Sequence, residues 1–382
     1  MAEQNTIPSF DLKRNYARVK EEVRVAIDRV LETQHFILGP EVEAFEKEMA
    51  SYLEVKETAG CASGTDALVL AIQSLDLREG DEVITTPFTF FATASCITRN
   101  GAKPVFADVE PDSYNMDMTK VLDLVTPRTK AVLPVHLFGQ TCKLELVRDE
   151  LKKRGITLVE DCAQAIGSHR MTDGKICRAG SMGDIGCFSF FPTKNLGCYG
   201  DGGMVAIPDD DARAARIKSL RVHGAGRTYF HEEVGINSRL DALQAAILRV
   251  RLRHLEEWNE ERRIVAGRYK LLFAEKKLLD RIIIPAEQAG NRHVYHQYVV
   301  RAQKRDELQK YLGEHGVTSR VYYPLPLHMQ HCFANLGYKK GDFPVAEQLA
   351  DEVLALPIFP ELLPEEQERV VSVIADFYGG QN

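Results

Sequence analysis

The stretch Thr157-Leu-Val-Glu-Asp161-Cys-Ala-Gln164 decides how this chain is read. It is a short apolar run that ends in two acids. A run of this length, bounded by polar and small residues, reads as a buried strand. In open α/β sheets, ligands bind at the carboxyl ends of strands, which is where Asp161 stands. Similar runs lie at 56–59, 82–87, 103–109, 130–137, 186–191 and 203–207, giving seven strand candidates in all. Helical stretches at 90–99, 119–125 and 143–153 alternate with the earlier ones. That alternation predicts the α/β class, with a mostly parallel sheet covered by helices on both faces. The last two strands are close together in sequence, so one of them is expected to run antiparallel.

Farther out, residues 15–34 carry Tyr16, Val19, Val23, Ile27 and Leu31 at helical spacing. A second helix begins at Pro40, a favoured first-turn residue, and runs through Val42, Phe45 and Met49. A third covers 64–75. From 240 to 274 a helical pattern continues with no Pro and one Gly, as a connector between domains would. After it come a strand at 296–301, a helix at 305–315, a strand at 319–323 and helices at 344–354 and 364–377. The expected division is a large domain over 1–250 and a smaller α/β domain over 251–382.

Composition narrows the class. Of 382 residues, 45 % are hydrophobic and 27 % charged, which excludes a disordered chain, a collagen and a coiled coil. The net charge of −7 and the lack of a basic block argue against nucleic acid as a partner. No signal-like apolar segment opens the chain, and no run approaches 18 apolar residues. A cytoplasmic protein with no membrane partner is expected. The eight cysteines include no Cys-x-x-Cys pair, so neither a metal site nor a disulfide framework is expected.

Three segments carry chemistry. Asp161, at a strand end, suits a metal, a ribose or a protonated ring nitrogen; a helix N-cap explains it equally well at this point. Residues 186–203 read GCFSFFPTKNLGCYGDGG. Here a strand bearing Ser189 enters an aromatic loop with Lys194, and a glycine-rich turn follows. Apolar surroundings disfavour the charged form of a lysine and suit it to Schiff-base chemistry; the alternative is a solvated loop lysine. Ala62-Ser63-Gly64-Thr65-Asp66 opens a helix, whose free N–H groups and positive end favour a phosphate; plain capping is the alternative. No GxxxxGK[ST] or strand-linked GxGxxG motif is present. Together, a phosphate cradle, a strand-end acid and a lysine some thirty residues later match the demands of pyridoxal phosphate. Phe88, Phe90 and Phe91 follow another strand end, where one ring stacks on the cofactor and the others pack in the core.

The chain resembles the pyridoxal-phosphate sugar aminotransferases of the DegT/DnrJ/EryC1/StrS group, of fold type I. The matching stretches are FDLKRNY, FILGPEVEAFE, CASGTDAL, GDEVITTPFTFFAT, PVHLFGQ, VEDCAQAIG, FSFFPTKNLGCYGDGG, GINSRLDALQAAIL and VYYPLPLHMQ. They span nearly the whole length. The resemblance implies that Lys194 is the Schiff-base lysine and general base, and that Asp161 pairs with the pyridine nitrogen. It implies that Gln164 contacts the ring near its phenolic oxygen, that Ser63, Gly64, Thr65 and Ser189 hold the phosphate, and that Phe90 stacks on the ring. Asn237 in GINSR resembles a residue donated by the second subunit of a homodimer with shared active sites. The implied reaction is ping-pong: L-glutamate converts the cofactor to pyridoxamine phosphate, which then aminates a keto sugar carried on a nucleoside diphosphate.

The sugar is read from fewer residues. Arg239 resembles an arginine that meets the acid of a UDP-linked 3-keto glucuronate. Members of that type carry His-Tyr before Pro, whereas this chain has Tyr322-Tyr323-Pro324. Tyr322 and Tyr323, with Leu327 and His328, also resemble members acting on dTDP-linked 3-keto-6-deoxyhexoses. Amination at C3 is the expectation and C4 the alternative within the family. Of other classes, a non-catalytic regulatory protein that binds the cofactor is the alternative. A dehydratase of the family would replace Lys194 with His, and a nicotinamide dehydrogenase would need the missing glycine fingerprint.

Overall fold

The computed structural model describes residues 6–172, 174–227 and 229–379. A seven-stranded sheet has the order Glu57–Cys61, Gly203–Ile207, Ile185–Ser189, Thr157–Asp161, Thr129–Val132, Glu82–Thr85, Lys103–Phe106. Gly203–Ile207 runs antiparallel to both of its neighbours, and the other adjacent pairs are parallel. The expected mostly parallel sheet with one reversed strand is therefore present.

Strand alternation divides the core into two faces. Val159, Cys187 and Val205 join Leu68, Ala71, Cys96 and Ile217 on one side. Phe188, Met204 and Ala206 meet Phe45, Met49 and Leu248 on the other. Farther along that second side, Leu158 and Val132 pack with Leu144 and Leu151. Helices thus cover both faces, as runs of buried residues in parallel strands require.

The first helix, Leu12–Thr33, is capped by Asp11, whose side chain accepts from the Lys13 and Arg14 N–H groups. Its buried face is Val19, Val23, Ala26 and Val30, packed on Ala242, Ile247 and Trp258, while Leu31 is exposed. The long helical pattern from 240 is two helices, Ala242–Leu252 and Leu255–Glu275. Its break at Arg253 and His254 contains neither Gly nor Pro, so the pattern gave no sign of it.

A second core lies in the C-terminal part. Strands Ile282–Ile283, Tyr298–Ala302 and Val353–Leu356 form an antiparallel sheet. Tyr269, Phe273, Leu308, Leu312, Val370 and Ile374 pack with Tyr298, Val300, Leu354 and Leu356. Two expectations change here. The strand expected at 319–323 is reduced to a single bridge between Arg320 and Ala355. The helix expected at 344–354 is Pro344–Glu352, and Val353 begins an edge strand that pairs with the central Tyr298–Ala302. Ile7 also joins this C-terminal core, held by Ile7 N–H to Gly316 O at 2.8 Å and Thr318 N–H to Ile7 O at 2.9 Å. Among the described residues, no helix is long and apolar enough to cross a membrane.

Candidate active site

The carboxyl ends of two adjacent parallel strands place Asp161 and Ser189 side by side. Asp161 is buried. Its carboxylate accepts from Thr93 Oγ1 at 2.8 Å and from the Ala163 N–H at 3.1 Å. Thr93 in turn lies 3.1 Å from the Thr89 hydroxyl. Among the described residues, no ion pair reaches Asp161. Burial pushes its pKa above the usual carboxylate range, against the pull of the Ala163 and Thr93 hydrogen bonds. A buried carboxylate left without a cation is matched by a ligand that brings a positive N–H.

Lys194 sits in the loop after Ser189. Its backbone N–H donates to Phe191 O at 2.8 Å, and the Phe191 N–H donates to Ser189 Oγ at 3.3 Å. The surrounding protein desolvates the amine and lowers its pKa to about 8, while the nearby Asp161 charge opposes that shift. This is the direction that keeps a lysine available as nucleophile and base.

The helix Gly64–Gln73 points its N-terminus at the same place. Ser63 caps it, Oγ accepting from the Asp66 N–H at 3.1 Å. Gly64 lies against Ser189 so closely that a Cβ there would be 2.5 Å from Ser189 Cβ. Only glycine allows this approach, which leaves the first N–H groups of the helix beside the Ser189 hydroxyl. Such an arrangement suits an anion.

Gln164 is held at both ends. Its Oε1 accepts from the Phe138 N–H at 2.7 Å, and its Nε2 donates to the Tyr323 hydroxyl at 3.2 Å. Tyr323 also neighbours Phe90, with ring centroids 6.4 Å apart. Phe90 is 58 % exposed, an unusual state for a phenylalanine and one that leaves a ring face free. Phe88, by contrast, is fully buried, and Phe91 packs on Phe333. Asp161, Gln164, Phe90, Tyr323, Lys194, Ser189 and the 63–65 turn therefore surround one region. These groups fit pyridoxal phosphate: an unmatched buried acid for its ring nitrogen, a lysine of lowered pKa for its aldehyde and an anion cradle for its phosphate.

Asn237 and Arg239 flank this region on one loop. Ser238 between them is buried, donating to Asp66 Oδ2 at 2.7 Å and accepting from the Ala62 N–H at 3.1 Å. Asn237 is exposed, and its backbone bridges to Val222. Among the described residues, Arg239 forms no ion pair. Tyr322 is half-buried beside Tyr323 at 5.9 Å between centroids, and burial raises its pKa.

His328, expected at the sugar, is enclosed. It is 2 % exposed, its Nε2 lies 3.0 Å from Glu347 Oε1, and its ring packs on Phe343 at 4.7 Å. The Glu347 contact ties the loop to the helix Pro344–Glu352, while His328 Nδ1 meets no partner among the described residues. The site residues that sequence reasoning missed are Thr93, Ser238 and Asn195. Thr93 stands in the quoted FFAT segment, three residues beyond Phe90. Its role depends on Asp161, 68 residues away, and no local pattern announces that contact.

Comparison with known proteins places nearly the whole chain. The model of the "DegT/DnrJ/EryC1/StrS aminotransferase family" matches residues 17–375. The chain is 48 % identical to the "Pleiotropic regulatory protein" of Geobacillus stearothermophilus, over 97 % of this chain and 98 % of that one. It is 43 % identical to the UDP-N-acetyl-3-dehydro-alpha-D-glucosamine 3-aminotransferase of Acidithiobacillus ferrooxidans, over 98 % of each. The crystal structure of S. venezuelae DesV in complex with a ketimine intermediate superimposes with a TM-score of 0.92 at 39 % identity, covering 97 % of this chain and 98 % of that one. By a family match over nearly its whole length and relatives above 40 % identity, the chain belongs to the DegT/DnrJ/EryC1/StrS aminotransferase family.

Proposed function

We propose that this protein is a pyridoxal-phosphate-dependent aminotransferase that moves the amino group of L-glutamate to C3 of a keto sugar carried on a nucleoside diphosphate. The observation that carries the reading is the convergence of Lys194, with a pKa of about 8, and the unmatched buried Asp161 beside the Gly64 helix end. Family membership supports the reaction class. The Acidithiobacillus relative, named for amination at a 3-dehydro sugar, supports C3 over C4. The Geobacillus relative is named for regulation rather than for a reaction. The lysine and acid retained here favour an enzyme over a purely regulatory protein.

Bound in this pocket, the cofactor supplies an electrophilic carbon and a sink for the charge left at the substrate carbon. Asp161 would hold the ring nitrogen protonated, and burial makes that charge pairing strong. The Ser63 and Ser189 hydroxyls and the Gly64 and Thr65 N–H groups would hold the phosphate. Phe90 offers its free face to the ring, and Gln164 its amide to the ring edge. Lys194 takes the proton from the donor carbon and returns it on the other side of the reaction. Tyr322 and Tyr323 stand where the sugar enters, and His328 positions their loop through Glu347.

The reading includes a homodimer in the cytoplasm, with Asn237 and Arg239 reaching the neighbour's site. It also includes two domains divided near residue 250, with the segment around Ile7 packed on the second. The test is a visible spectrum of the purified protein before and after glutamate. Loss of a yellow band with release of 2-oxoglutarate is expected, and a UDP- or dTDP-linked 3-keto sugar should restore the colour. A protein that neither carries nor takes up the cofactor overturns the reading. Recovery only with a 4-keto sugar moves the amination to C4.

A further inference from the structure

Asp161 is held by a chain of two hydroxyls that the scheme above does not use. Thr89 and Thr93 stand one helical turn apart in sequence, and they are only 2 % and 0 % exposed. Their Oγ1 atoms are 3.1 Å apart, and Thr93 Oγ1 is 2.8 Å from Asp161 Oδ2. A helical threonine commonly turns its hydroxyl to the carbonyl three or four residues back. Thr93 is the second residue of the helix Ala92–Arg99, yet its hydroxyl goes to a carboxylate 68 residues away. Among the described residues, no other side chain donates to Asp161. Its remaining donor is the Ala163 N–H, 3.1 Å from Oδ1.

An ionised carboxylate accepts and cannot donate. The Thr93 hydroxyl must therefore point its one proton at Asp161, and toward Thr89 it can only accept. The chain has one direction, Thr89 O–H to Thr93 O–H to Asp161, and each hydroxyl polarises the next. Each oxygen of Asp161 then has one donor and keeps room for a ring N–H. The Thr93 N–H donates to Phe90 O at 3.2 Å, so the turn that presents Phe90 also presents the hydroxyl. Burial raises the pKa of Asp161, while the Ala163 and Thr93 hydrogen bonds and the charges of Lys194 and His136 oppose that shift. The other ionisable groups acting around it are the Cys96, Cys162 and Cys187 thiols and the Tyr323 phenol, all kept neutral by burial. Glu160 turns to the opposite face and meets His136 there.

Resting on the aminotransferase reading, we propose that Thr93 is a positioning residue which, with Thr89 behind it, keeps Asp161 ionised so that the proton they share stays on the cofactor's ring nitrogen. A hydrogen bond given to the charged form of an acid favours that form. Without the Thr93 hydroxyl, Oδ2 keeps no donor in a site closed to water. The carboxylate then binds a proton more tightly, and the proton of the shared hydrogen bond shifts from nitrogen to oxygen. The ring loses the positive charge that makes it a sink for electrons. Thr89 acts one step behind, because its hydroxyl sharpens the donor that Thr93 presents.

The test compares Thr93→Val, which removes the hydroxyl at nearly constant shape, with Thr93→Ser, which restores it. In the cofactor-free full chain, infrared difference spectra read the protonated carboxyl of Asp161, identified by its absence in Asp161→Asn. Its apparent pKa should rise by about one unit in Thr93→Val, by less in Thr89→Val, and stay near the parent value in Thr93→Ser. In the loaded protein, nitrogen NMR of isotope-labelled cofactor should show the ring signal moving toward the unprotonated form in Thr93→Val. Glutamate-driven loss of colour should slow by about tenfold with the KM for glutamate unchanged, and Thr93→Ser should regain most of that loss. An unchanged Asp161 titration and ring signal in Thr93→Val would overturn the proposal, as would a Ser variant no better than Val. If Thr93→Val does not fold, Thr89→Val, which leaves Thr93 in place, carries the same comparison with a smaller shift. A parent protein that never takes up the cofactor sinks the aminotransferase reading instead, and the cofactor-free titration of Asp161 separates the two failures.

Discussion

At the scale of single residues, the site rests on two buried ionisable groups whose environments push them in useful directions. Lys194 is held near a pKa of about 8 by desolvation. Below that pH it carries its proton and cannot take another; above it the amine is free. The rate of the glutamate half-reaction should therefore rise as pH increases through about 8, read by stopped-flow loss of the yellow band. A rate flat from pH 7 to 9 would place the base elsewhere. Lys194→Ala should keep the fold, lose turnover by roughly 10⁴-fold or more, and leave no lysine for borohydride to label. Asp161→Asn should still bind cofactor but lose roughly 10²–10³-fold in rate, because a neutral amide cannot hold a ring nitrogen protonated. Near-normal transamination by that variant would assign the ring contact to another acid.

At the scale of elements, the strand ends are what bring these groups together, and neighbouring backbone holds them there. Glu160 points to the opposite face from Asp161 and is fully buried. It accepts from the Met182, Gly183 and Gly180 N–H groups and from His136 Nε2, at 2.7–3.0 Å. His136 Nδ1 accepts from the Cys142 N–H, so its Nε2 must be the donor. Each carboxylate oxygen faces two donors, and an amide NH₂ would meet them head-on in either orientation. Glu160→Gln should cost about 2–4 kcal/mol, seen as a clearly lower thermal midpoint; an unchanged midpoint would show the backbone turn to be self-supporting. Gly64→Ala should weaken cofactor binding by roughly tenfold or more, since the added Cβ would sit 2.5 Å from Ser189 Cβ and must drive the cradle apart. Equilibrium titration with the cofactor measures that change.

These elements also show what a sequence can reveal. The long apolar strands and the Lys194 loop were legible, because burial on both faces writes itself as continuous hydrophobic runs. The hairpin of His169–Thr172 and Lys175–Arg178 was not. Its residues are short, polar and partly exposed, and it pairs with Asn291–Arg292, about 120 residues on. Val353–Leu356 was read as a helix end because Ala and Leu suit either state, and only pairing with Tyr298–Ala302 makes it a strand. The enclosure of His328 was not legible either, because it depends on Glu347 and Phe343, which lie well beyond its own motif.

At the scale of the whole molecule, long-range contacts settle what local patterns leave open. Ile7 packs with Val317 and the C-terminal core across some three hundred residues, so the chain's beginning and end belong to one body. The Asn237 loop belongs to the large sheet's side of the chain, bridging to Val222. Ser238 fastens it to the cradle helix through Asp66, while the flanking Asn237 and Arg239 form no ion pair among the described residues. An exposed Asn237 and a half-buried Arg239 on a rigid anchor are what a two-fold partner would use, and closed dimers place such groups at two equivalent sites. Asn237→Ala alone should weaken cofactor binding by roughly tenfold, the worth of one hydrogen bond to a phosphate. Hybrids that pair an Asn237→Ala subunit with a Lys194→Ala subunit decide whose site Asn237 serves. If it serves the neighbour, the one subunit with an intact Lys194 receives an intact Asn237, and each hybrid dimer should show about half the parental activity. If it serves its own subunit, that same site lacks Asn237, and the hybrid should fall to the level of the Asn237→Ala protein at half strength.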